Sequence, residues 1–206
     1  MICQPAAALE HQSADRIVNS FPTDFFMDDS ALPLYDLSAR HYGLIEPIAG
    51  HCEAAARVCL DRHHSSPVYV SIRAKTVESK ALVTWEKADD RTRGALNNKT
   101  DTTEMGACGC VIAAVELTQG IYTVRRAETE TGADYYVAPP GMGIEDLEGC
   151  FRLEISGMSK GSNSAVEHLL VTKVAQTRKG KSNLPAIAGV IGFEVLRILI
   201  EYVDEQ

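Results

Sequence analysis

Alternating apolar and polar positions predict a β-hairpin in the first half of the 206-residue chain. In residues 67–74, and again in residues 81–87, apolar and polar side chains follow one another with a period of two. That period is typical of strands with one buried face and one solvated face. The polar segment KTVES lies between the two runs and suits the connection of a hairpin. The expected inward positions are Val68, Val70, Ile72, Ala81, Val83 and Trp85.

Two further segments have a helical pattern. Residues 43–61 are rich in alanine, which favours a helix that another element can approach closely. Residues 104–119 are apolar nearly all the way round, so we expect a central helix, with Thr103 as its N-cap. The glycines at positions 106 and 109 lower helix propensity and indicate that small residues are needed there for close packing.

A third helix is predicted in residues 164–177. Ser164 and Glu167 have the S-x-x-E spacing of a capping box at its beginning. Positions every 100° around the helix place Lys173 within the apolar stripe rather than opposite it. A lysine in that position needs an acidic partner, or its side chain must extend to solvent.

The remaining apolar runs predict strands. Residues 121–126, 133–138 and 151–156 form three strands in a meander, and residues 186–194 form a fourth, fully buried strand. Residues 195–203 are predicted to be a short helix or an edge strand.

The predicted fold class is therefore α+β (α/β), with a mixed β-sheet flanked by helices. Residues 1–42 are irregular and are interpreted as an arm with one short helix over 6–18, whose aromatic side chains pack on this domain or on a neighbour. Residues 88–103 are interpreted as a long surface loop at a boundary. The predicted division is an arm, helix and hairpin in residues 1–100 and an α/β core in residues 101–206.

Composition narrows the class of protein. The formal net charge is −8, which disfavours nucleic-acid binding by the surface as a whole, although Arg178, Lys179 and Lys181 form a basic stretch. The six cysteines have neither disulfide-framework nor zinc-ribbon spacing, so we expect reduced, buried thiols. No secretory leader and no apolar run of membrane-spanning length is evident, which predicts a cytoplasmic protein with no membrane partner.

Two of the predicted strands each carry one acid. Asp134 lies in ADYYVA and Glu154 in FRLEIS, and carboxylates on neighbouring strands suit a divalent metal. The order of elements from Glu104 to Glu194, about half the chain, resembles the core of the PD-(D/E)XK nuclease superfamily. The resemblance implies that Asp134 and Glu154 bind Mg²⁺ or Mn²⁺ with the backbone carbonyl of Ile155, beside an acid of the first helix, Glu104 or Glu116.

The chain departs from that pattern at Ser156, where the superfamily carries lysine two residues after the glutamate. Some members place this lysine on the following helix, so Lys173 is the candidate for the catalytic cation. Lys160 and Gln176 are weaker candidates, and loss of the site by decay is the alternative. Arg178, Lys179 and Lys181 are the expected nucleic-acid contacts.

Each of these residues also has a plain structural explanation. In this alternative, Asp134 and Glu154 are solvated residues on the open face of a sheet. Glu116 is then an ion-pair residue near a helix end. His63 and His64 are interpreted as a turn, and His51 with Cys52 as part of a packed helix, since neither pair has metal-ligand spacing.

Two functions follow from this interpretation. The first is a Mg²⁺-dependent nuclease acting on DNA or RNA, as an effector of a prokaryotic defence system. The second is a non-catalytic subunit in which the nuclease-like core is a scaffold and the N-terminal half binds a protein partner. The enzyme predicts carboxylates that converge on a metal, whereas the scaffold predicts carboxylates that diverge or are occupied by salt bridges.

Overall fold

A mixed seven-stranded sheet lies at the centre of the computed structural model, which describes residues 30–203. The strand order is β2-β1-β7-β6-β5-β4-β3, with parallel pairing of β1 with β7 and of β5 with β6. The strands are β1 Val68–Ala74, β2 Val77–Val83, β3 Tyr122–Arg126, β4 Tyr135–Ala138, β5 Phe151–Met158, β6 Ala186–Gly192 and β7 Arg197–Val203. The hairpin, the three-stranded meander and the buried fourth strand are confirmed, as is the fold class.

Helices cover both faces of this sheet. They are α1 Leu37–Arg40, α2 Glu46–Asp61, α3 Asp90–Ala95, α4 Lys99–Gln119 and α5 Asn163–Thr177. Helix α4 packs with Leu153 and Ile187 on one face, whereas Val166 and Leu170 of α5 pack with Val190 on the other. Since neighbouring residues of a strand point to opposite faces, Glu154 lies on the face that α5 covers.

Close packing of α2 against α4 explains the two glycines of the central helix. A Cβ on Gly106 would lie 3.1 Å from the backbone of Ala55, and a Cβ on Gly109 would lie 3.2 Å from the carbonyl oxygen of Cys52. Both distances are shorter than ordinary van der Waals contact. The predicted requirement for small residues is therefore confirmed.

The predicted starts of two helices are wrong. Helix α4 begins at Lys99 and is capped by Asn98, whose side chain accepts hydrogen bonds from the N–H groups of residues 100 and 101. Thr103 is instead inside the helix and donates to the Lys99 carbonyl. Helix α5 is capped by Ser162, not Ser164, because the Ser162 hydroxyl accepts from the Ala165 N–H. Glu167 does not complete a capping box, since it binds Arg73 at 2.9 Å.

Other predicted elements differ in position or type. The 88–103 loop contains helix α3, capped by the Asp89 carboxylate. Strand β2 begins at Val77, because the hairpin turns at residues 75–76 rather than over the whole polar segment. Strand β7 is not at an edge but lies between β1 and β6. Its run of apolar residues fits a strand buried on both faces.

The sheet continues across the predicted division near residue 100, because β1 of the N-terminal half pairs with β7 of the C-terminal half. The division into two units stays a prediction. In the described part of the arm, Leu32 and Leu34 are buried in the main core. The predicted helix over 6–18 lies outside the described residues.

Side-chain environments agree with two further expectations. The cysteines at positions 52, 59, 108, 110 and 150 are free and buried, whereas Cys3 lies outside the described residues. His63 and His64 form the turn after α2, as predicted. Between residues 30 and 203, no helix is both long and apolar enough to cross a membrane.

Candidate functional site

Asp134 and Glu154 lie where strands β4 and β5 separate. The ladder pairs Tyr135 with Leu153, and the Asp134 N–H donates to the Leu153 carbonyl at 2.8 Å. One residue further, the chain leaves the ladder, so Asp134 lies beside Glu154 at the end of the paired region. Both acids line one open cavity, called here the hollow.

The hollow has a volume of about 570 Å³ and is bounded by residues 126–134, β5 and the C-terminal end of α5. Its opening is formed by two loops, one before β4 and one after α5. The charged and amide side chains that line it are Arg126, Glu128, Glu130, Asp134, Glu154, Gln176 and Lys179. A cavity with so polar a lining suits an ionic ligand better than an apolar one.

Lys173 of α5 reaches Glu154 from the covering helix. Its Nζ lies 2.8 Å from Glu154 Oε1, and only 9% of the Glu154 side chain and 20% of the Lys173 side chain are exposed. The lysine on the apolar stripe therefore has the acidic partner that its position required. The structure brings together the acid of one strand and the basic residue of the next helix.

The backbone of Ile155 is also directed toward Asp134. The Ile155 N–H donates to Asp134 Oδ2 at 2.9 Å, replacing the strand partner that β4 no longer provides. The N–H and C=O groups of one residue in a strand point to the same side. The Ile155 carbonyl therefore faces the gap between β4 and β5.

Arg126, at the end of β3, is a member of the site that the sequence did not indicate. Its guanidinium donates to Asp134 Oδ1 at 3.1 Å, and its central carbon lies 4.6 Å from the centre of the Tyr135 ring. The side chain is 59% exposed. Nothing in the sequence near Arg126 distinguishes it from Arg125, and only the three-dimensional structure shows which of the two enters the hollow.

Burial raises the pKa of the Glu154 carboxyl above its ordinary value. The hydrogen bond from Lys173 opposes this shift, and the negative charge of Asp134 adds to it. Because the net shift is upward, Glu154 retains a proton to a higher pH than a solvated glutamate. An acid with a raised pKa in an accessible cavity is a feature of functional sites.

Arg152 joins the two chain segments that bound the hollow, the loop before β4 and the segment after α5. It is 4% exposed, and its guanidinium donates to the carbonyls of Thr131 at 2.6 Å, Thr177 at 3.2 Å and Leu184 at 2.9 Å. These bonds join the loop before β4 to the segment after α5. The period of two in FRLEIS places Arg152 and Glu154 on one face of the sheet. The sequence pattern could therefore have indicated that Arg152 lies near the site.

Gln176 and Lys179 line the hollow, but the other candidate residues do not. Glu104 and Lys160 are exposed on α4 and in the loop after β5, and Ser156 follows Glu154 on β5 without lining the cavity. Glu116 lies elsewhere, bound to Arg40 at 2.6 Å and His41 at 2.9 Å. Its interpretation as an ion-pair residue is confirmed.

The basic stretch after α5 lies next to the opening of the hollow. Lys179 lines the cavity, and Lys181 donates to Glu130, a lining residue, at 2.8 Å. Arg178 is exposed at the C-terminal cap of α5. The three expected nucleic-acid contacts are thus close to the candidate site, with one of them already paired to an acid.

The donors of the hollow are of the kind that Mg²⁺ prefers. Mg²⁺ is commonly held by one or two carboxylates, and water molecules complete its coordination. Asp134 and Glu154 supply two carboxylates to the hollow, although Arg126 and Lys173 each hold one of their oxygens. Across residues 30–203, no group of three or more His, Cys, Asp or Glu side chains is placed to hold a metal.

Comparisons with protein-family models, with curated proteins and with solved structures found no match. Function is therefore inferred from the geometry of the hollow, and membership of the nuclease superfamily stays a prediction.

Proposed function

We propose that the chain is a Mg²⁺-dependent phosphodiesterase that hydrolyses DNA or RNA at the hollow. One observation carries this proposal: Asp134 and Glu154 line one accessible cavity, and Lys173 of the covering helix binds Glu154. Lys173 Nζ lies 2.8 Å from Glu154, and both acids line the same hollow. These are the residues to which the resemblance assigned the metal and the catalytic cation, and those roles are part of the proposal.

Asp134, Glu154 and the Ile155 carbonyl would hold the metal. When bound, Mg²⁺ would polarise a phosphate and lower the pKa of a bound water. Lys173 would keep Glu154 ionised and donate a hydrogen bond to an oxygen of the reacting phosphate or to the attacking water. The amide of Gln176, on the same helix, would orient the substrate across the hollow.

The charge of the chain disfavours binding of a nucleic-acid substrate. The net charge of −8 repels a polyanion, and the basic side chains near the hollow are few. We therefore propose that a protein partner presents the nucleic acid, as expected of an effector in a prokaryotic defence system.

The second candidate function, a non-catalytic scaffold, also has an observation in its favour. Both carboxylates are engaged by basic side chains, Asp134 by Arg126 and Glu154 by Lys173. A scaffold would use these pairs only to hold β4, β5 and α5 together. The two functions differ in whether a divalent cation binds and whether nucleic acid is cleaved.

A cleavage assay with Mn²⁺ on plasmid, single-stranded DNA and RNA tests the proposal. We expect Asp134→Ala and Glu154→Ala each to lower the rate at least about 100-fold, since either removes a metal ligand. Glu130→Ala is the matched control, because Glu130 lines the same hollow on an exposed loop and its side chain pairs with the exposed Lys181. Its rate should stay within about threefold of wild type.

Activity that survives both substitutions would place the catalytic site elsewhere. Absence of cleavage by the wild-type chain on all three substrates, together with absence of Mn²⁺ binding, would favour the scaffold.

A further inference from the structure

Arg126 and a metal ion would compete for the same oxygen of Asp134. The two carboxylate oxygens of Asp134 have different partners in the structure. Oδ2 accepts the Ile155 N–H at 2.9 Å, whereas Oδ1 accepts the Arg126 guanidinium at 3.1 Å. The Ile155 bond belongs to the backbone at the end of a ladder and holds the carboxylate in place. Oδ1 is therefore the oxygen whose present partner, an exposed side chain, a cation in the hollow can displace.

The ion pair between Arg126 and Asp134 is weak enough for another cation to replace Arg126. A single hydrogen bond joins the two groups, and 59% of the Arg126 side chain and 26% of the Asp134 side chain are exposed. Solvent screening makes such a pair weak. In the ion pair of Lys173 with Glu154 both side chains are less exposed, so we expect this pair to persist when a cation binds.

The guanidinium has a second use once it leaves Asp134. Arg126 lines the hollow, where a phosphate would lie next to the two acids. Guanidinium groups bind phosphate oxygens through two parallel hydrogen bonds. The face of the Tyr135 ring, 4.6 Å from the guanidinium carbon, supports the side chain near this position.

We propose that Arg126 is an internal counter-ion of the free site, which a divalent cation displaces from Asp134 and which then binds the phosphate of the substrate. This inference rests on the proposed function, because it assigns the partner of Asp134 before and after the metal binds. It predicts that metal and nucleic acid bind cooperatively, since the metal releases the residue that holds the phosphate.

The test measures Mn²⁺ affinity by electron paramagnetic resonance, and separately measures the affinity for a single-stranded oligonucleotide with Ca²⁺ present. We expect Arg126→Ala to bind Mn²⁺ about fivefold more tightly, because the competing cation is gone. The same variant should bind the oligonucleotide about tenfold more weakly, because the phosphate loses a charged partner.

Arg125→Ala is the matched control. Arg125 is the neighbouring residue, is 50% exposed and pairs with an acid, Glu128, but does not line the hollow. This variant should leave the Mn²⁺ affinity unchanged, and any loss of oligonucleotide affinity should be smaller than that of Arg126→Ala.

Different results overturn the inference and the proposed function. If Asp134→Ala abolishes Mn²⁺ binding but Arg126→Ala leaves it unchanged or weaker, the metal site stands and the role of Arg126 is refuted. If Arg126→Ala tightens Mn²⁺ binding without weakening the oligonucleotide, the exchange onto phosphate is refuted. If the wild-type chain and Arg126→Ala both fail to bind Mn²⁺, the proposed function fails and the inference fails with it.

Discussion

Glu116 and Glu154 are two largely buried carboxylates with basic partners at hydrogen-bond distance, yet they lie in opposite settings. Glu116 is near the end of α4 and binds two side chains, Arg40 at 2.6 Å and His41 at 2.9 Å. Glu154 is in β5 and binds one, Lys173 at 2.8 Å. The exposed fractions of the two acids are similar, 10% and 9%.

The cluster around Glu116 is closed. His41 is fully buried, and its Nδ1 accepts the Thr123 N–H at 3.0 Å, so Nε2 carries the proton donated to Glu116. Arg40 also donates to backbone carbonyls, including that of Pro33 at 2.7 Å. Both carboxylate oxygens of Glu116 are thus occupied, and Glu116 does not line the cavity of about 350 Å³ that Arg40 and Thr123 border. The cluster joins α1, α4 and β3.

The cluster around Glu154 is open. Its carboxylate borders the hollow, and the neighbouring acid is held by an exposed arginine that solvent can reach. Short ion pairs occur in both clusters, so the pairs by themselves do not identify a site. Access, and a partner that can be exchanged, separate the candidate site from the structural cluster.

Removing the Glu116 carboxylate should produce the largest change in stability. Glu116→Ala leaves the buried Nε2–H of His41 without an acceptor and removes the partner of Arg40. We expect a loss of about 3 kcal/mol in the free energy of unfolding, measured by urea denaturation. Glu104→Ala, an exposed site on the same helix, should change it by less than about 0.5 kcal/mol. A small effect of Glu116→Ala would contradict the description of a closed cluster.

Lys173→Met should have a smaller and pH-dependent effect. At pH 8 the ionised Glu154 loses its partner, which we expect to cost about 1–2 kcal/mol of unfolding free energy. The Lys173 hydrogen bond lowers the Glu154 pKa against the effect of burial, so the variant protonates Glu154 more readily. The difference from wild type should therefore shrink as the pH falls toward 5. A difference independent of pH would show that Glu154 does not titrate in this range.

The pH dependence of stability should have opposite signs in the two clusters, and this is the smallest expected effect. Burial lowers the pKa of His41, so below pH 6.5 the unfolded chain binds a proton that the folded chain does not, and stability falls. Burial raises the pKa of Glu154, so as the pH falls toward 4.5 the folded chain binds the proton first, and stability rises. Urea denaturation of His41→Gln and Glu154→Gln against wild type, from pH 4.5 to 8, separates the two contributions. Slopes of the same sign would contradict the assignment.

Periodicity predicted the fold better than it predicted the boundaries. Alternation in residues 67–74 and the apolar run of residues 186–194 are properties of whole segments, and both strands are present. Caps depend on single hydrogen bonds. Asn98 and Ser162 were missed because other residues of cap-forming type, Thr103 and Ser164, lie within a few positions.

The same limit applied to the candidate site. The pairing of Lys173 with Glu154 was within reach, because a lysine on the apolar stripe required an acid and the preceding strand provides one. The contact of Arg126 with Asp134 could not be predicted from the sequence, since it depends on how far β3 and β4 extend before they separate. Ion-pair partners across a sheet edge follow from tertiary packing, which a pattern along one chain does not encode.

The most direct measurement is the anomalous diffraction of crystals of the full chain grown with Mn²⁺. We predict one strong peak in the hollow, within about 2.6 Å of oxygens of both Asp134 and Glu154, with Arg126 moved away from Asp134. Crystals of Glu154→Gln should lack that peak. A wild-type crystal without a peak at these oxygens, or a peak that persists in the variant, would contradict a metal shared by the two acids.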